Sequence, residues 1–259
     1  MTPPVLILHA NGTNRDREAA WAVEQAGGAP QIVHVNQLLE GQRRLADYRM
    51  LVLPGGFSYG DDLGAGRLWA VTLGHRLADD LQAFVASGRP VLGICNGFQA
   101  LVKSGLLPGV ALDDSAKRRV TLTRNDSGRF ECRWVTLAPQ PGPCVWTRDL
   151  PEPIYCPVAH GEGKLVCSDE ATLADLQERQ LVALRYSGPA GETAGYPHNP
   201  NGSWGDIAGI CNPAGNVLGL MPHPEDHIIP RQHPGHHRGR GGGLGLALFQ
   251  NGVRHAANL

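Results

Sequence analysis

Residues 91–99 read VLGICNGFQ, and this stretch decides the fold. A short apolar run ends at Cys95, and glycines stand two residues before and two residues after that cysteine. Glycines at these positions permit a sharp turn from a buried strand into a helix, which lifts the side chain between them out of the sheet edge. The stretch therefore predicts a strand over Pro90–Ile94, a turn at Cys95 and a helix from Asn96 to about Val102.

A cysteine at such a turn is well placed for nucleophilic chemistry. The start of a helix stabilises a thiolate over a thiol and presents backbone N–H groups to a developing oxyanion. Open α/β sheets also bind their ligands beyond the carboxyl ends of parallel strands. The alternative is a core cysteine that simply ends a strand, but the paired glycines favour Cys95 as the nucleophile of a cysteine-dependent active site.

Apolar runs that precede this stretch alternate with segments of helical spacing. The predicted strands are Val5–His9, Gln31–Val35 and Met50–Leu53, and the predicted helices run from about Asn14 to Ala26 and over Leu68–Ala86. Strands that alternate with helices form right-handed crossovers and a mostly parallel sheet. The first part of the chain therefore predicts an α/β fold.

The pattern changes after Gly105 to short β-rich runs separated by turns. They predict an antiparallel excursion on the carboxyl side of the parallel sheet. The runs are Arg119–Thr123, Arg129–Leu137, Ile154–Val158, Leu181–Tyr186, Ile207–Cys211 and Val217–Leu220. His233–Gly243 is rich in Gly, His and Arg and is predicted to be an exposed loop before a final helix over Leu244–Val253. Because no repeat or linker interrupts the pattern, residues 1–259 are predicted to form a single domain.

The composition is that of an ordinary globular protein. Hydrophobic residues make up 42% of the 259 residues, and the formal net charge of −1 gives no global attraction to nucleic acid or to a membrane. The six cysteines contain no CxxC pair, which favours a reduced protein. The N-terminus has no basic region and no apolar run long enough for a signal peptide. We therefore expect a cytoplasmic protein with neither a nucleic-acid nor a membrane partner.

A thiolate nucleophile needs a base that also protonates the leaving group, and that base needs an orienting partner. The best candidates lie in residues 221–225, MPHPE, which follow the apolar run Val217–Leu220. His223 and Glu225 are two residues apart, so an extended segment would point both to one side. We predict His223 as the base and Glu225 as the group that orients its ring, although a surface His-Pro turn is the alternative.

The oxyanion of an acyl-transfer reaction also needs hydrogen-bond donors. Pro54, Gly55 and Gly56 end the strand Met50–Leu53, and glycines there free the backbone N–H groups to approach a substrate. We predict the N–H groups of Gly56 and Asn96 as the oxyanion donors. Asp61 and Asp62, a few residues later, are interpreted as solvated loop charges or helix caps.

Seven sequence blocks, in this order, resemble those of the class I glutamine amidotransferases that use a Cys-His-Glu triad. The blocks are GTN (12–14), PGGFSYGD (54–61), GICNGFQ (93–99), NDSGRFE (125–131), AHGEG (159–163), NPNGS (199–203) and MPHPE (221–225). Several are most similar to those of the glutaminase subunits that serve purine biosynthesis. The resemblance spans nearly the whole chain, and it implies a Rossmann-like (flavodoxin-like) open sheet flanked by helices.

The resemblance also implies a reaction and a partner. Cys95 would attack the side-chain amide of L-glutamine, ammonia would leave, and water would hydrolyse the glutamyl thioester to glutamate. A separate large synthetase subunit would use that ammonia, with ATP and magnesium, to convert formylglycinamide ribonucleotide (FGAR) to formylglycinamidine ribonucleotide (FGAM), and the complex can include a third, small subunit. Because this chain contains no P-loop motif, we expect it to hold no cofactor of its own.

Further site residues follow from the same resemblance. Gln99, on the helix after the nucleophile, is expected to contact the side chain of the substrate glutamine. Asn125, Ser127 and Arg129 belong to a block that is expected to grip or cover the amino-acid end of the substrate. Arg15 stands where the family commonly has a cysteine, so a role of that thiol is lost here.

Three alternatives stay open from the residues alone. A metal site could be built from the histidines of the segment after the triad, although prolines and glycines there make a solvated loop more plausible. The histidines concerned are His227, His233, His236 and His237. A stand-alone cysteine hydrolase or peptidase could use the same turn, and a binding subunit without activity would require a broken triad. His160 with Glu162 could be structural or line the site.

Overall fold

The computed structural model describes residues 2–109, 119–188, 191–192 and 194–259. The strands in these ranges are β1 (Pro4–His9), β2 (Ala29–His34), β3 (Met50–Leu53), β4 (Val91–Ile94), β5 (Val120–Thr123), β6 (Glu131–Pro139), β7 (Ile154–His160), β8 (Lys164–Cys167), β9 (Val182–Ser187), β10 (Ile207–Cys211) and β11 (Val217–Leu220). The α-helices are α1 (Asp16–Gln25), α2 (Val35–Leu39), α3 (Arg67–Val71), α4 (Ala78–Ala86), α5 (Asn96–Lys103), α6 (Glu170–Glu178) and α7 (Leu246–Ala257).

A nine-stranded sheet forms the centre of the described structure, in the order β2-β1-β3-β4-β11-β10-β9-β6-β7. The five strands from β2 to β11 run parallel to one another. Strands β3, β4 and β11 are apolar and buried along their whole length, which is typical of parallel strands covered on both faces. The α/β fold with an open, mostly parallel sheet, predicted from the alternating pattern and the resemblance, is thus confirmed.

Strand β11 joins the parallel region to the antiparallel region. It pairs in parallel with β4 on one side and antiparallel with β10 on the other. Strands β9, β6 and β7 then continue the same sheet with antiparallel pairing. The antiparallel excursion therefore extends the parallel sheet sideways, while β5 and β8 form a separate two-stranded sheet.

The structure differs from the sequence-based assignment at one divided helix and at three elements that were not predicted. The predicted helix Leu68–Ala86 is divided into α3 and α4 by a wider π turn over Thr72–Arg76, which contains Gly74. Strand β8 and helices α2 and α6 were not predicted at all. Asp169 caps α6 by accepting a hydrogen bond from the Thr172 N–H at 2.7 Å, so a Ser-Asp pair before the helix was the signal that could have revealed it.

Helix α5 lies unusually close to the sheet because glycines line the contact. A Cβ atom at Gly97 would overlap the backbone carbonyl of Leu53 in β3, and one at Gly219 in β11 would overlap the Phe98 ring. A Cβ atom at Gly93 would lie 2.5 Å from Leu101. The start of α5, where Cys95 lies, is therefore positioned by backbone contacts rather than by adjustable side chains.

The end of the chain agrees with the expected loop and helix. Residues 233–243 are mostly exposed and contain a short 3-10 turn over His236–Arg238, and the last helix, α7, begins at Leu246. None of the helices in the described ranges combines the length and the apolar character needed to cross a membrane.

Candidate active site

Cys95 lies in a sharp turn between β4 and α5, as predicted from the two glycines. Its backbone adopts φ 49° and ψ −104°, a conformation that non-glycine residues rarely take and that is typical of strained functional positions. The Cys95 N–H donates to the Leu220 carbonyl at 2.8 Å, which ties the turn to β11. The side chain is 5% exposed, and its Sγ lies 3.8 Å from the Ala159 carbonyl oxygen of β7.

His223 and Glu225 form a buried hydrogen-bonded pair immediately after β11. The His223 Nδ1 and a Glu225 carboxylate oxygen are 2.7 Å apart, and the two residues are 3% and 0% exposed. The segment is not extended as expected, because Pro224–Asp226 forms a tight 3-10 turn that brings the two side chains together. The Nε2 of His223 is buried and has no hydrogen-bond partner among the described residues, so it can exchange a proton with a group that is brought next to it.

Gly55 provides the space in which the cysteine and the histidine approach each other. A Cβ atom at Gly55 would lie 2.6 Å from the His223 Cε1 and 3.4 Å from the Cys95 Cβ. Burial alone would lower the pKa of His223, but the Glu225 carboxylate and the Cys95 sulfur raise that pKa well above its usual value. The site therefore favours a protonated His223 ring next to the Cys95 sulfur.

The predicted oxyanion donors lie on the loop after β3 and at the start of α5, and these two segments are hydrogen-bonded together. Gly56 has φ 133°, which a residue with a side chain rarely adopts, and it lines the same cavity as Cys95. Asn96 is the first residue of α5, so its N–H has no partner within the helix. The Asn96 side chain accepts from the Ser58 N–H at 3.3 Å and donates to an Asp61 carboxylate oxygen at 3.0 Å.

A cavity of about 200 Å³ opens at Cys95, and we call it the Cys95 cavity. Two carboxylates, Asp61 and Glu162, line it. Burial raises the pKa of Asp61 and the charge of Glu162 adds to this, although hydrogen bonds from Gly66 and Asn96 oppose the shift. Asp61 is therefore not the solvated charge that the sequence indicated, whereas Asp62 is exposed. The two neighbouring carboxylates form a wall suited to a cationic group.

Gln99, expected from the resemblance to contact the substrate side chain, lies at the same wall. Its side-chain nitrogen donates to the Glu162 carbonyl at 2.6 Å, and its oxygen accepts from Asn96 at 3.1 Å. These bonds connect α5 to the segment after β7, so Gln99 holds the cavity wall together besides lining it.

His160, at the end of β7, also lines the Cys95 cavity. Burial lowers the pKa of His160 to about 4, and the nearby His223 acts in the same direction, so the ring is neutral at pH 7. Its Nδ1 lies 3.2 Å from the Asn125 side-chain oxygen, while its Nε2 has no partner among the described residues. His160 therefore presents a hydrogen-bonding nitrogen with unused capacity at the cavity.

The three residues predicted to grip the amino-acid end of the substrate are placed differently from one another. Asn125 is buried, and its amide bonds the Arg129 and His160 carbonyls, the His160 ring and the Gly163 N–H. Ser127 and Arg129 are exposed and bonded to each other through the Arg129 N–H and the Ser127 hydroxyl at 3.3 Å. Of this described segment, the residue that lines the cavity is Phe130, not Asn125, Ser127 or Arg129.

Phe130 faces Phe57 across the opening of the cavity. The two rings are stacked with centroids 6.4 Å apart, and the residues are 53% and 46% exposed. No local pattern singled out either phenylalanine, because two chain segments 73 residues apart meet only in the folded protein. Their position inside the resembling blocks PGGFSYGD and NDSGRFE was the available signal.

The histidines considered for a metal site do not converge. His227 is buried between Trp134 and Tyr155 and packs edge-on against His233, with ring centroids 5.5 Å apart. Among the described residues, a group of three or more His, Cys, Asp or Glu side chains with ligand atoms within 4.8 Å of one another occurs only at His223, Glu225 and Asp226, two of which already form the histidine–carboxylate pair. The structure therefore offers no support for a metal site in the segment from His227 to His237.

Comparison with known proteins agrees with the resemblance read from the sequence. The family model described as a CobB/CobQ-like glutamine amidotransferase domain matches residues 2–256. The phosphoribosylformylglycinamidine synthase subunit PurQ of Treponema denticola is 50% identical over 98% of this chain and 99% of that protein. The PurQ subunit of Dehalococcoides mccartyi is 44% identical over 97% of this chain and 96% of its own length. A chain of the solved structure of PurLQS from Thermotoga maritima matches with a TM-score of 0.74 at 32% identity, covering 98% of this chain and 99% of that one.

Proposed function

The chain belongs to the CobB/CobQ-like glutamine amidotransferase family, and we propose that Cys95, His223 and Glu225 catalyse its release of ammonia from L-glutamine. It acts as the glutaminase subunit of phosphoribosylformylglycinamidine synthase in purine biosynthesis, which is supported by its similarity to PurQ subunits over nearly the whole chain. The observation that carries the proposal for the site is the 2.7 Å contact between His223 and Glu225 beside the strained Cys95 turn.

The reaction starts when the Cys95 sulfur adds to the side-chain carbonyl of glutamine. The Gly56 and Asn96 N–H groups then stabilise the negative charge on the carbonyl oxygen, since both lie at the ends of neighbouring parallel strands. His223 donates a proton to the amide nitrogen, the C–N bond breaks, and ammonia leaves. Glu225 fixes the His223 ring and stabilises the imidazolium throughout, because its buried carboxylate is bonded to Nδ1.

Water completes the cycle by hydrolysing the glutamyl thioester. His223, neutral after giving up its proton, takes a proton from water as the water oxygen attacks the acyl carbon. Glutamate is released and Cys95 is restored. This chemistry needs only the thiol, the imidazole and the carboxylate, so we propose that the chain uses no cofactor of its own.

The Cys95 cavity fits the amino-acid end of glutamine. The wall formed by Asp61 and Glu162 suits the α-ammonium group, and the neutral His160 adds a hydrogen-bonding nitrogen. Phe57 and Phe130 cover the aliphatic part of the substrate from the side of the solvent. Gln99 supports this wall through its bonds to Asn96 and to the Glu162 carbonyl.

The ammonia is used by a partner. The chain associates with a large synthetase subunit and a third, small subunit, as the PurLQS assembly of Thermotoga maritima indicates for its own chains. The large subunit uses ATP and magnesium to convert FGAR to FGAM. We place this activity in the cytoplasm, and we treat residues 1–259 as one domain because one sheet contains strands from Pro4 to Leu220.

The experiment that tests this function measures ammonia release from glutamine by the native chain and by Cys95→Ala. Cys132→Ala is the matched control, because Cys132 is a free and exposed cysteine on β6. Each protein is assayed alone and with the large subunit, the small subunit, FGAR, ATP and magnesium. We expect release to require Cys95, to be unaffected by Cys132→Ala, and to rise sharply in the full mixture.

Two results would contradict the proposal in different ways. Full activity of Cys95→Ala would show that Cys95 is not the nucleophile. Activity that depends on Cys95 but is the same with and without the partner subunits would favour a stand-alone cysteine hydrolase.

A further inference from the structure

Two cysteines that the proposed reaction does not use, Cys144 and Cys211, meet in the core. Cys211 is the last residue of β10, and Cys144 lies in the segment between β6 and β7. Cys144 is 3% exposed and Cys211 is 0% exposed, and their thiols are hydrogen-bonded to each other. Both are free thiols, so the structure holds two sulfur atoms in contact without a covalent bond between them.

Backbone contacts hold the pair from both sides. The Val145 N–H donates to the carbonyl of Gly215, in the turn between β10 and β11, at 2.9 Å. A Cβ atom at Gly215 would lie only 3.1 Å from the Cys144 backbone nitrogen. On the other side, the Cys211 N–H donates to the Leu181 carbonyl at 2.8 Å. The two sulfur atoms are therefore brought together by main-chain contacts that a change of either thiol leaves in place.

The surroundings of the two sulfur atoms are unequal. Burial would raise the pKa of Cys144, but hydrogen bonds from the Cys211 thiol and the Thr147 hydroxyl lower it below its usual value. The Trp146 and Thr147 N–H groups donate to the same sulfur and lower this pKa further. The bond to Cys144, together with burial, raises the pKa of Cys211. Cys144 is therefore the better nucleophile of the two, and Cys211 keeps its proton.

Two other buried cysteines have no such activation. Burial raises the pKa of Cys156 well above its usual value, and neighbouring carboxylates add to the effect. Burial also raises the pKa of Cys167 to about 11. Both thiols therefore stay protonated at pH 7, and a protonated thiol reacts slowly with oxidants because the thiolate is the nucleophile.

The pair lies just beneath the surface, on the side of the sheet away from the active site. Residues 141–142, shortly before Cys144, and residues 213–214, shortly after Cys211, are exposed. A peroxide is little larger than water, so a local opening of these two turns is enough to admit it. The pair is next to the start of β11, whereas the candidate active site follows the end of that strand.

We propose that Cys144 and Cys211 form a reversible oxidation site, at which a peroxide converts the two thiols into a disulfide. The Cys144 sulfur attacks hydrogen peroxide, so an S–O bond forms, the O–O bond breaks, and the proton lost by Cys144 completes one water molecule. The Cys211 sulfur then attacks the Cys144 sulfur. The S–S bond forms as the S–O bond breaks, and the departing hydroxyl takes the Cys211 proton as a second water molecule.

The electrons in these steps balance. The two thiols are oxidised by two electrons in total, and one hydrogen peroxide is reduced to two water molecules. A reducing thiol reverses the change by thiol–disulfide exchange and becomes a disulfide itself. The chain is thus reduced at rest, in agreement with its free thiols, and is cross-linked only when peroxide is present.

The cross-link would secure the region that carries the cavity wall. It closes a loop from residue 144 to residue 211, which contains β7, β8, α6, β9 and β10. A cross-link across a long loop restricts the unfolded chain strongly and so favours the folded state. We therefore expect oxidation of this pair to raise the melting temperature of the chain by about 4 °C or more.

The test treats the full chain with hydrogen peroxide, alkylates the remaining thiols and identifies cross-linked peptides by mass spectrometry without reduction. We expect a peptide pair joined through Cys144 and Cys211 that is lost after treatment with a dithiol reductant. Cys132→Ala is the matched control, because it removes an exposed cysteine outside the pair and should leave this cross-link unchanged. If the native chain forms no such cross-link, or joins Cys144 to a different cysteine, the oxidation site is disproved.

Two single substitutions test the separate roles of the two sulfur atoms. In Cys211→Ser, a sulfenic acid should accumulate at Cys144 and be trapped by dimedone, whereas in Cys144→Ser the Cys211 thiol should stay unmodified. The rise in melting temperature after peroxide should occur in the native chain and in neither variant. Oxidation of Cys211 at the native rate in Cys144→Ser would overturn the assignment. None of these measurements depends on Cys95, so they are independent of the proposed function.

Discussion

The parallel and antiparallel regions of the sheet contribute to the site by different physical means. In the parallel region, Cys95 is positioned by α5, which packs on β3, β4 and β11 through glycines and fully buried apolar strands. In the antiparallel region, the cavity wall after β7 is held by buried polar side chains. The position of Cys95 in the parallel region therefore depends on close packing, whereas the position of the cavity wall in the antiparallel region depends on hydrogen bonds.

The polar network in the antiparallel region is centred on Asn201. Its side-chain nitrogen donates to the Gly163 carbonyl at 2.8 Å and to the Tyr186 hydroxyl at 3.1 Å, and its oxygen accepts from the Ser203 N–H at 3.0 Å. Asn125 holds the other side of the same segment by accepting from the Gly163 N–H at 3.0 Å. We therefore expect substitutions in the parallel region to affect the rate of the chemical steps. Substitutions in the cavity wall after β7 should instead affect the binding of glutamine.

The largest effect is expected for Glu225→Gln, which removes the charge that orients His223. Because Glu225 is fully buried and bonded to Nδ1, the amide would favour the wrong tautomer and would no longer stabilise the imidazolium. We expect kcat for glutamine hydrolysis to fall about a thousandfold or more. Asp226→Asn, one residue later, is the matched control and should change kcat by less than about threefold. A Glu225→Gln enzyme with near-native kcat would show that this pair does not act in catalysis.

The packing of the parallel region can be broken directly with Gly97→Ala. The added methyl group would overlap the Leu53 carbonyl, which belongs to the backbone of β3 and cannot rotate away. We expect the free energy of unfolding, measured by denaturant titration, to fall by about 3 kcal/mol or more. Gly195→Ala, where no atom lies within 4 Å of the added carbon, should stay within about 0.5 kcal/mol of the native value. Equal stabilities of the two variants would contradict the close approach of α5.

The role of the cavity wall after β7 is tested with Glu162→Gln, which keeps the shape of the side chain and removes its charge. If the wall binds the α-ammonium group of glutamine, KM should rise about tenfold while kcat stays within about twofold. Asp62→Asn is the control, because Asp62 is exposed and does not line the Cys95 cavity. A fall in kcat at unchanged KM would show that Glu162 acts in the chemical steps rather than in substrate binding. That result would contradict the difference expected between the two regions.

The smallest effect is a pH-dependent gain in stability from Asp226→Asn. Burial, and then the charge of Glu225, raise the pKa of Asp226 to about 6 from its ordinary value of 3.8. The folded chain therefore holds this proton more tightly than the unfolded chain, so ionised Asp226 destabilises the fold above pH 6. Because Asp226 is partly exposed, we expect Asn to add only about 1 kcal/mol to the free energy of unfolding at pH 8. The gain should diminish as the pH falls through 6 and vanish below about pH 4. A gain in the free energy of unfolding that stays constant from about pH 4 to pH 8 would contradict the raised pKa of Asp226.

The sequence was most informative where local rules determine structure. The two glycines around Cys95 predicted a strand, turn and helix that the structure has at β4 and α5, and Val217–Leu220 was predicted with its observed bounds. The roles of Asp61 and of the two phenylalanines at the cavity depend on contacts between distant segments. No local pattern distinguishes a carboxylate that lines a cavity from one that is solvated, and this is why Asp61 was interpreted as a solvated charge or a helix cap.

The close contact at Gly97 also limits which second mutations could restore a Gly97→Ala protein. Its neighbour at the contact is the main-chain carbonyl of Leu53, a group that every amino acid carries. A strain with Gly97→Ala therefore cannot be rescued by a smaller residue at position 53, since no such residue lacks the obstructing atom. When such a strain is selected for growth without added purines, revertants should restore the glycine codon, and compensating mutations in β3 should not be recovered.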